Sequence, residues 1–165
     1  MKHVKYIFLA VFAQVLFISC NNNDCCDPGP LIDTYYHLSV ISSDGTDLLD
    51  PEVNGTLNTH QIAIYDLIDG EAVPLDLVRD TYPWGYTISQ MEEGYVMQPQ
   101  FGGDDDLVYE GIIQWNDSDS DTIRLEFEQP SRNQRRIVRI YCNGEEVWDR
   151  ENDQGAYYRG FQIIK

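Results

Sequence analysis

The residues with the clearest capacity for chemistry form an acidic run in the second half of the chain. From Asp117 to Asp121, carboxylates alternate with serine hydroxyls. Oxygen ligands at alternate positions of a loop can converge on Ca²⁺, a hard cation that takes six to eight of them. The pattern therefore suggests a calcium site formed by Asp117, Asp119 and Asp121. The alternative is a solvated hairpin turn whose short polar side chains bond to their own backbone.

The spacing of this run does not fit an EF-hand loop. Counted from Asp117, Glu128 occupies the twelfth position, where that loop places its bidentate glutamate. The sixth position is Thr122, however, and the loop requires glycine there. The intervening residues alternate like a strand, which at ~3.3 Å per residue carries Glu128 roughly 20 Å away. Any calcium site here would have a looser geometry.

Three aromatic residues at alternate positions form a second candidate site. Tyr82, Trp84 and Tyr86 would share one face of a strand, because strand side chains alternate with period two. If exposed, they would make a platform for sugar rings; if buried, they would be core, where large aromatics usually lie. Pro83 and Gly85 between them suit an edge strand or a loop. The exposure of Trp84 decides between these interpretations.

Basic side chains and catalytic groups are scarce in this chain. The basic residues gather in one cluster: Arg132, Arg135, Arg136 and Arg139. They would either pair with neighbouring carboxylates or receive an anionic partner.

The sequence contains no nucleophile elbow, phosphate loop or metalloprotease motif. We therefore predict a protein without enzymatic activity; the remaining enzymatic alternative is a hydrolase that uses paired carboxylates.

The sequence pattern predicts that an all-β domain positions these residues. From Thr34 onward, apolar residues alternate at period two between turn residues, which predicts about ten strands. The alternation is clearest from Thr122 to Gln129 and is typical of an antiparallel sheet with one face in water. Asn143-Gly144 between two apolar runs predicts a tight hairpin. We predict an antiparallel, immunoglobulin-like β-sandwich, with an up-and-down β-barrel as the alternative.

The first twenty residues have the pattern of a targeting signal. A short basic start precedes an apolar run from Tyr6 to Ile18, shorter than the ~20 residues that a spanning helix needs. The run closes with Ser19-Cys20 and resembles the lipobox of bacterial lipoproteins. That resemblance implies cleavage before Cys20, diacylglycerol on its sulfur and N-acylation, with palmitate as the expected chain. The alternative is an ordinary signal peptide with an incidental cysteine.

The sequence predicts that the chain has three parts. Residues 1–19 are the predicted signal peptide, 20–33 the lipid anchor and flexible tether, and 34–165 a single β domain. Eleven basic residues oppose 28 acidic ones, a net charge of −17, which disfavours nucleic acid and anionic lipid headgroups as partners. If Cys20 is acylated, an odd number of cysteines remains: Cys25, Cys26 and Cys142. Whether they form a disulfide is left open.

Several turn and strand residues resemble those of a known group of proteins. They are the stretch from Asp44 to Pro51 and the set Trp115 to Asp117, Asp121 to Ile123, Tyr141 to Gly144 and Val147-Trp148. Together they resemble small surface or outer-membrane lipoproteins of the Bacteroidetes. The resemblance implies a compact β domain behind a lipid anchor, on the periplasmic or cell-surface face of the outer membrane. It implies no catalytic or binding residue.

The expected function is that of an anchored, non-enzymatic binding or assembly module. Its first partner would be the bilayer, through acylated Cys20. A glycan or a protein of the envelope would be the second, which leaves a glycan-binding sandwich and a structural accessory subunit of an envelope complex as alternatives. A calcium ion at the acidic run is the one cofactor that the sequence suggests.

Overall fold

The computed structural model describes residues 31–75, 84–101, 106–131, 134–152 and 159–165, with side chains described from Asp33 onward. Residues 32–165 form one compact unit. The predicted signal peptide, Cys20 and most of the predicted tether lie outside the described residues. None of the helical segments in the described ranges is long or apolar enough to cross a membrane.

Strands account for nearly all the regular structure in these ranges. They are β1 (Leu31–Asp33), β2 (His37–Ile41), β3 (Ala63–Ile68), β4 (Glu71–Pro74), β5 (Tyr86–Met91), β6 (Gly94–Pro99), β7 (Val108–Asn116), β8 (Asp119–Ser131), β9 (Gln134–Cys142), β10 (Glu145–Asp149) and β11 (Gly160–Ile164). A single-turn 3₁₀ helix, Thr59–Gln61, precedes β3.

The strands form two sheets. The large sheet has the order β1-β9-β8-β7-β3-β4, and β10 also pairs with β9; the small sheet has the order β11-β2-β6-β5. Most pairs are antiparallel, whereas β11 runs parallel to β2. Neither sheet closes on itself, so the predicted all-β sandwich is confirmed and the barrel alternative is not.

The hydrophobic core lies between the two sheets. Ile113, Trp115 and Ile123 point inward from the large sheet, Leu38 and Met97 from the small one, and each is at most 1% exposed. Period-two alternation places the intervening residues on the outer faces. Because full burial of one such side chain contributes about 1.5–3 kcal/mol, this inner layer is the main source of stability.

Two tight hairpins follow the predicted turn chemistry. Asp69 and Gly70 join β3 to β4 with φ angles of 53° and 82°, and Asn143 and Gly144 join β9 to β10 with 52° and 84°. Positive φ at both central residues is the type I′ geometry that favours Asx-Gly in two-residue hairpins. The hairpin predicted at Asn143-Gly144 is confirmed, and it carries the Asn143 side chain to a defined position.

Among the glycines of the described residues, Gly111 in β7 leaves the least room for a side chain. A Cβ atom there would lie 2.5 Å from Cε1 of Phe101 and 3.0 Å from Cε1 of Tyr109. The Phe101 ring is held on its other side by Tyr36, at a centroid distance of 6.3 Å. Gly111 is therefore required for space.

We expect Gly111→Ala to lower the free energy of unfolding by about 1–3 kcal/mol, because the new methyl group displaces the Phe101 ring. Urea denaturation measures the change. Phe101→Leu in the same chain should restore part of the loss, so the double variant should be more stable than the two single changes added together. Strict additivity would contradict this packing explanation.

Candidate functional site

The three predicted calcium ligands lie in different environments in the structure. Asp117 is exposed in the turn between β7 and β8, whereas Asp121 in β8 is buried at 6% exposure. Asp119 Oδ1 and Asp121 Oδ2 lie 2.8 Å and 2.6 Å from Nζ of Lys165. The cation between these two carboxylates is thus the ammonium group of Lys165. In the described part of the chain, no three His, Cys, Asp or Glu side chains are grouped to hold a metal ion.

Asp121 is the buried centre of a polar group that we call the Asp121 cluster, formed with buried Trp115, exposed Asn143 and partly buried Lys165. Trp115 Nε1 donates to Asp121 Oδ2 over 2.6 Å, and Asn143 Nδ2 donates to Asp121 Oδ1 over 2.7 Å. The Lys165 ammonium also lies 5.5 Å from the centroid of the Trp115 ring. Both carboxylate oxygens are therefore paired, which burial of a charge requires.

The cluster sets the protonation of its two charged members. Burial by itself raises the pKa of Asp121, but hydrogen bonds from Lys165, Asn143 and Trp115 outweigh it and leave that pKa below its usual value. Burial likewise lowers the pKa of Lys165, and the hydrogen bonds to Asp119 and Asp121 outweigh it and leave that pKa raised. Asp121 is therefore ionised and Lys165 charged at neutral pH.

The structure corrects the prediction that Trp84 and Tyr86 belong to one exposed aromatic platform. Trp84 is 56% exposed and Tyr86 only 8% exposed, so the two side chains do not share one exposed face. Gly85 between them has a φ of +74°, which breaks the alternation of an extended chain. Tyr82 lies outside the described residues. The exposed indole of Trp84 is what remains of the platform.

Trp84 is supported by the 3₁₀ turn that precedes β3. The His60 ring packs edge-on against Trp84, with centroids 6.2 Å apart and planes at 74°. The Asn58 side chain caps the turn by accepting from the His60 backbone N–H over 3.2 Å. The buried Tyr86 hydroxyl donates to the carbonyl oxygen of Thr59 in the same turn. Tyr86 thus positions the turn that positions Trp84, a role that the sequence pattern did not indicate.

The predicted arginine cluster is largely paired with carboxylates. Arg136 Nε donates to Glu128 Oε1, and Arg139 lies 3.4 Å from Glu126 and 3.8 Å from Asp149. The pairing interpretation is therefore confirmed for Arg136 and Arg139.

Two members of the predicted arginine cluster differ from this pattern. The guanidinium of Arg135 lies over the Phe127 ring at 4.0 Å, and Arg132 is outside the described residues. Sequence reasoning missed Arg150, whose Nη1 atom lies 3.5 Å from Glu128 on the same outer face.

The thiol of Cys142 has little capacity for chemistry. It is half-buried and free among the described residues, whereas Cys25 and Cys26 lie outside them. Burial, and then the nearby Asp121 carboxylate, raise the pKa of Cys142 to about 11. A thiol with this pKa is almost entirely protonated at neutral pH, so it is a poor nucleophile and a poor metal ligand.

No protein-family model matches this chain, and no curated protein or solved structure matches it either. Function is therefore argued from the geometry of the chain's own residues.

We expect Asp121→Asn to lower the free energy of unfolding by about 2–4 kcal/mol at pH 7, because it leaves the Lys165 ammonium without its most buried partner. Asp117→Asn, a matched change in the exposed turn, should stay within about 0.5 kcal/mol of the parent chain. Urea denaturation compares the two. We also expect calcium to leave the unfolding midpoint unchanged, since the Lys165 ammonium already lies between Asp119 and Asp121. Calcium stabilisation that depends on Asp117 would overturn this interpretation.

The stability due to Asp121 should depend on acid pH. Because the folded pKa lies below the unfolded one, the contribution is complete above about pH 5 and is lost as the pH falls through the folded pKa. The difference in unfolding free energy between the parent chain and Asp121→Asn should therefore shrink on acidification. A difference that stays constant down to the acid transition would show that Asp121 acts by packing alone.

Proposed function

We propose that this chain is a lipid-anchored, non-enzymatic binding module of a bacterial outer membrane. Its N-terminal apolar run ends at Ser19-Cys20, and the polar tether that follows leads to a folded β domain. Acyl chains contribute about 0.8 kcal/mol per buried CH₂, and several chains anchor far more firmly than one. A net charge of −17 keeps the domain away from anionic headgroups, so the anchor is the contact with the bilayer.

The anchor can be tested at one residue. We expect the native protein to incorporate labelled palmitate and to sediment with membranes, and Cys20→Ala to abolish both. Cys142→Ala is the matched control, since its half-buried thiol should carry no lipid. Intact-mass measurement of the parent chain should show a triacylated N-terminal Cys20. An unmodified thiol at that position, or cleavage elsewhere, would refute the anchored location.

The binding role is carried by a single observation, the exposure of Trp84. Large aromatic side chains are usually buried, and an indole with more than half its surface in water offers an apolar face to a ligand. His60 packs against it edge-on, and Asn58 and Gln61 of the same 3₁₀ turn are exposed and carry hydrogen-bonding groups. A pyranose ring has an apolar C–H face and a hydroxyl edge, so it matches an apolar surface with a polar margin. A neutral saccharide also meets no repulsion from an acidic chain.

We expect binding to a glycan array that Trp84→Ala weakens by about tenfold or more, since the stacking surface is lost while the fold is kept. Tyr35→Ala is the matched control, because Tyr35 is similarly exposed at 52% and lies elsewhere. Titration calorimetry with the best-bound oligosaccharide gives the affinities, and urea denaturation should show that both variants stay within about 1 kcal/mol of the parent chain. Equal losses in the two variants, or no glycan binding, would contradict the saccharide assignment.

A second candidate, an accessory subunit of an envelope complex, is favoured by the outer face of the small sheet. Strand register and alternation place uncharged side chains of the four strands on that face, where Asp47 is a charged neighbour of Ile41 and Val96 is buried. The uncharged side chains are His37, Ser39, Ile41, Thr87, Ser89, Met91, Val96, Gln98, Gln162 and Ile164. Charged residues are depleted at the centres of protein–protein interfaces. Migration in a defined complex on native gels, together with no glycan binding, would favour this candidate.

A further inference from the structure

A pocket of about 310 Å³ opens on the outer face of the large sheet, where three strands are irregular. The β8–β9 register shifts between Glu126 and Phe127, and the β9–β10 register shifts between Glu146 and Trp148. Bulges redirect side chains and are common beside binding sites. Here they gather side chains from β8, β9, β10 and the turn after β10 around one space.

The pocket is lined almost entirely by charged side chains of both signs. Three are arginines (Arg136, Arg139 and Arg150) and three are carboxylates (Glu128, Asp149 and Glu151), with Val138 as the apolar member. Their charges cancel, although the chain as a whole carries −17. The lining excludes an apolar ligand, and the balance suits a ligand that itself carries both signs.

Two of the three arginines share one carboxylate. Arg136 Nε and Arg150 Nη1 both approach the same oxygen of Glu128, the second at 3.5 Å, which is too long for a hydrogen bond. Nη1 of Arg150 is buried and makes no hydrogen bond in the described part of the chain. Two guanidinium groups that share one carboxylate leave an excess positive charge, and planar guanidiniums bind carboxylates in a forked geometry.

The third arginine, Arg139, is already surrounded by carboxylates: Glu126 at 3.4 Å, Asp149 at 3.8 Å and Glu146 at 3.9 Å. Glu151 follows Arg150 in the turn after β10, where its backbone N–H donates to Asp149 Oδ1 over 2.8 Å; its side chain is exposed and forms no ion pair among the described residues. Around Arg139 there is therefore more acid than base, and the carboxylate of Glu151 has no charged partner in the described part of the chain.

We propose that this pocket binds a small zwitterion, a free amino acid or a short peptide with both termini unblocked. The ligand carboxylate would lie on Arg136 and Arg150, and its ammonium group on Glu151 and Asp149. A simple anion would meet repulsion from the acidic chain, and a simple cation would find many other acidic surfaces on it; a zwitterion can pair with both kinds of charged group that line this pocket. A volume of about 310 Å³ is near the lower end for small-molecule sites, which suits a dipeptide.

The test uses the full-length acylated protein in detergent and titration calorimetry with dialanine. We expect dialanine to bind, and N-acetyl-dialanine and dialanine amide each to bind about tenfold more weakly or worse. Arg136→Gln and Glu151→Gln should each weaken dialanine binding by a similar factor. Arg124→Gln is the matched control: Arg124 lies on the same face, 2.7 Å from Glu126, and does not line the pocket.

Several distinct results would contradict the zwitterion proposal. No binding of dialanine at about 10 mM, well above the concentration that even a weak site needs, would overturn the proposal. So would equal binding of the capped peptides, or equally tight binding of inorganic phosphate that depends on Arg136, which would indicate an anion site. Should Arg136→Gln fail to fold, the exposed Glu151→Gln carries the test. Trp84→Ala should leave dialanine binding unchanged, so this pocket and the proposed saccharide site can fail independently.

Discussion

The paired charge at Asp121 connects the large sheet to the C-terminal end of the small one. Its carboxylate receives donors from the large sheet and from the β9–β10 hairpin, and the third donor is the Lys165 ammonium. The Lys165 backbone N–H in turn donates to the carbonyl oxygen of Ile41 over 2.8 Å, which aligns β11 beside β2. Because a buried charge without partners is very costly, the two sheets are held in register where these contacts meet. The parallel strand β11 is thereby fixed at its end.

A sandwich held in this way has two outer faces of different character. The large sheet is charged on its outer face around β8 and β9, where ion pairs such as Arg124–Glu126 and Arg136–Glu128 run between neighbouring positions. Exposed pairs of this kind contribute little stability, so their value lies in what they present to solvent. The small sheet presents uncharged side chains instead. An acidic chain that concentrates its cations on one face and places mostly uncharged side chains on the opposite face can make two different kinds of contact.

Sequence reasoning succeeded where the physical signal is local. Alternation from Ile123 to Phe127 reflects the two sides of a single strand, and Asn143-Gly144 favours its turn without help from the rest of the chain. It did not identify partners that are distant in the sequence: the cation beside Asp121 is Lys165, 44 positions away, and a run of alternating acids resembles a metal site equally well. The signal that could have indicated this partner is the scarcity of lysine in the domain.

At the candidate sites, too, the sequence did not show which side chains the fold would bring together. The alternation of strand side chains predicted that Trp84 and Tyr86 share one face. The positive φ of Gly85 separates the two side chains instead. A glycine between two large aromatic residues is the local signal that this alternation can stop. The pocket at Arg136 and Arg150 depends on two bulges, and register shifts depend on strand pairing that no single segment encodes. Both proposed binding surfaces therefore lie at breaks in strand regularity, where side chains leave the regular alternation of a strand.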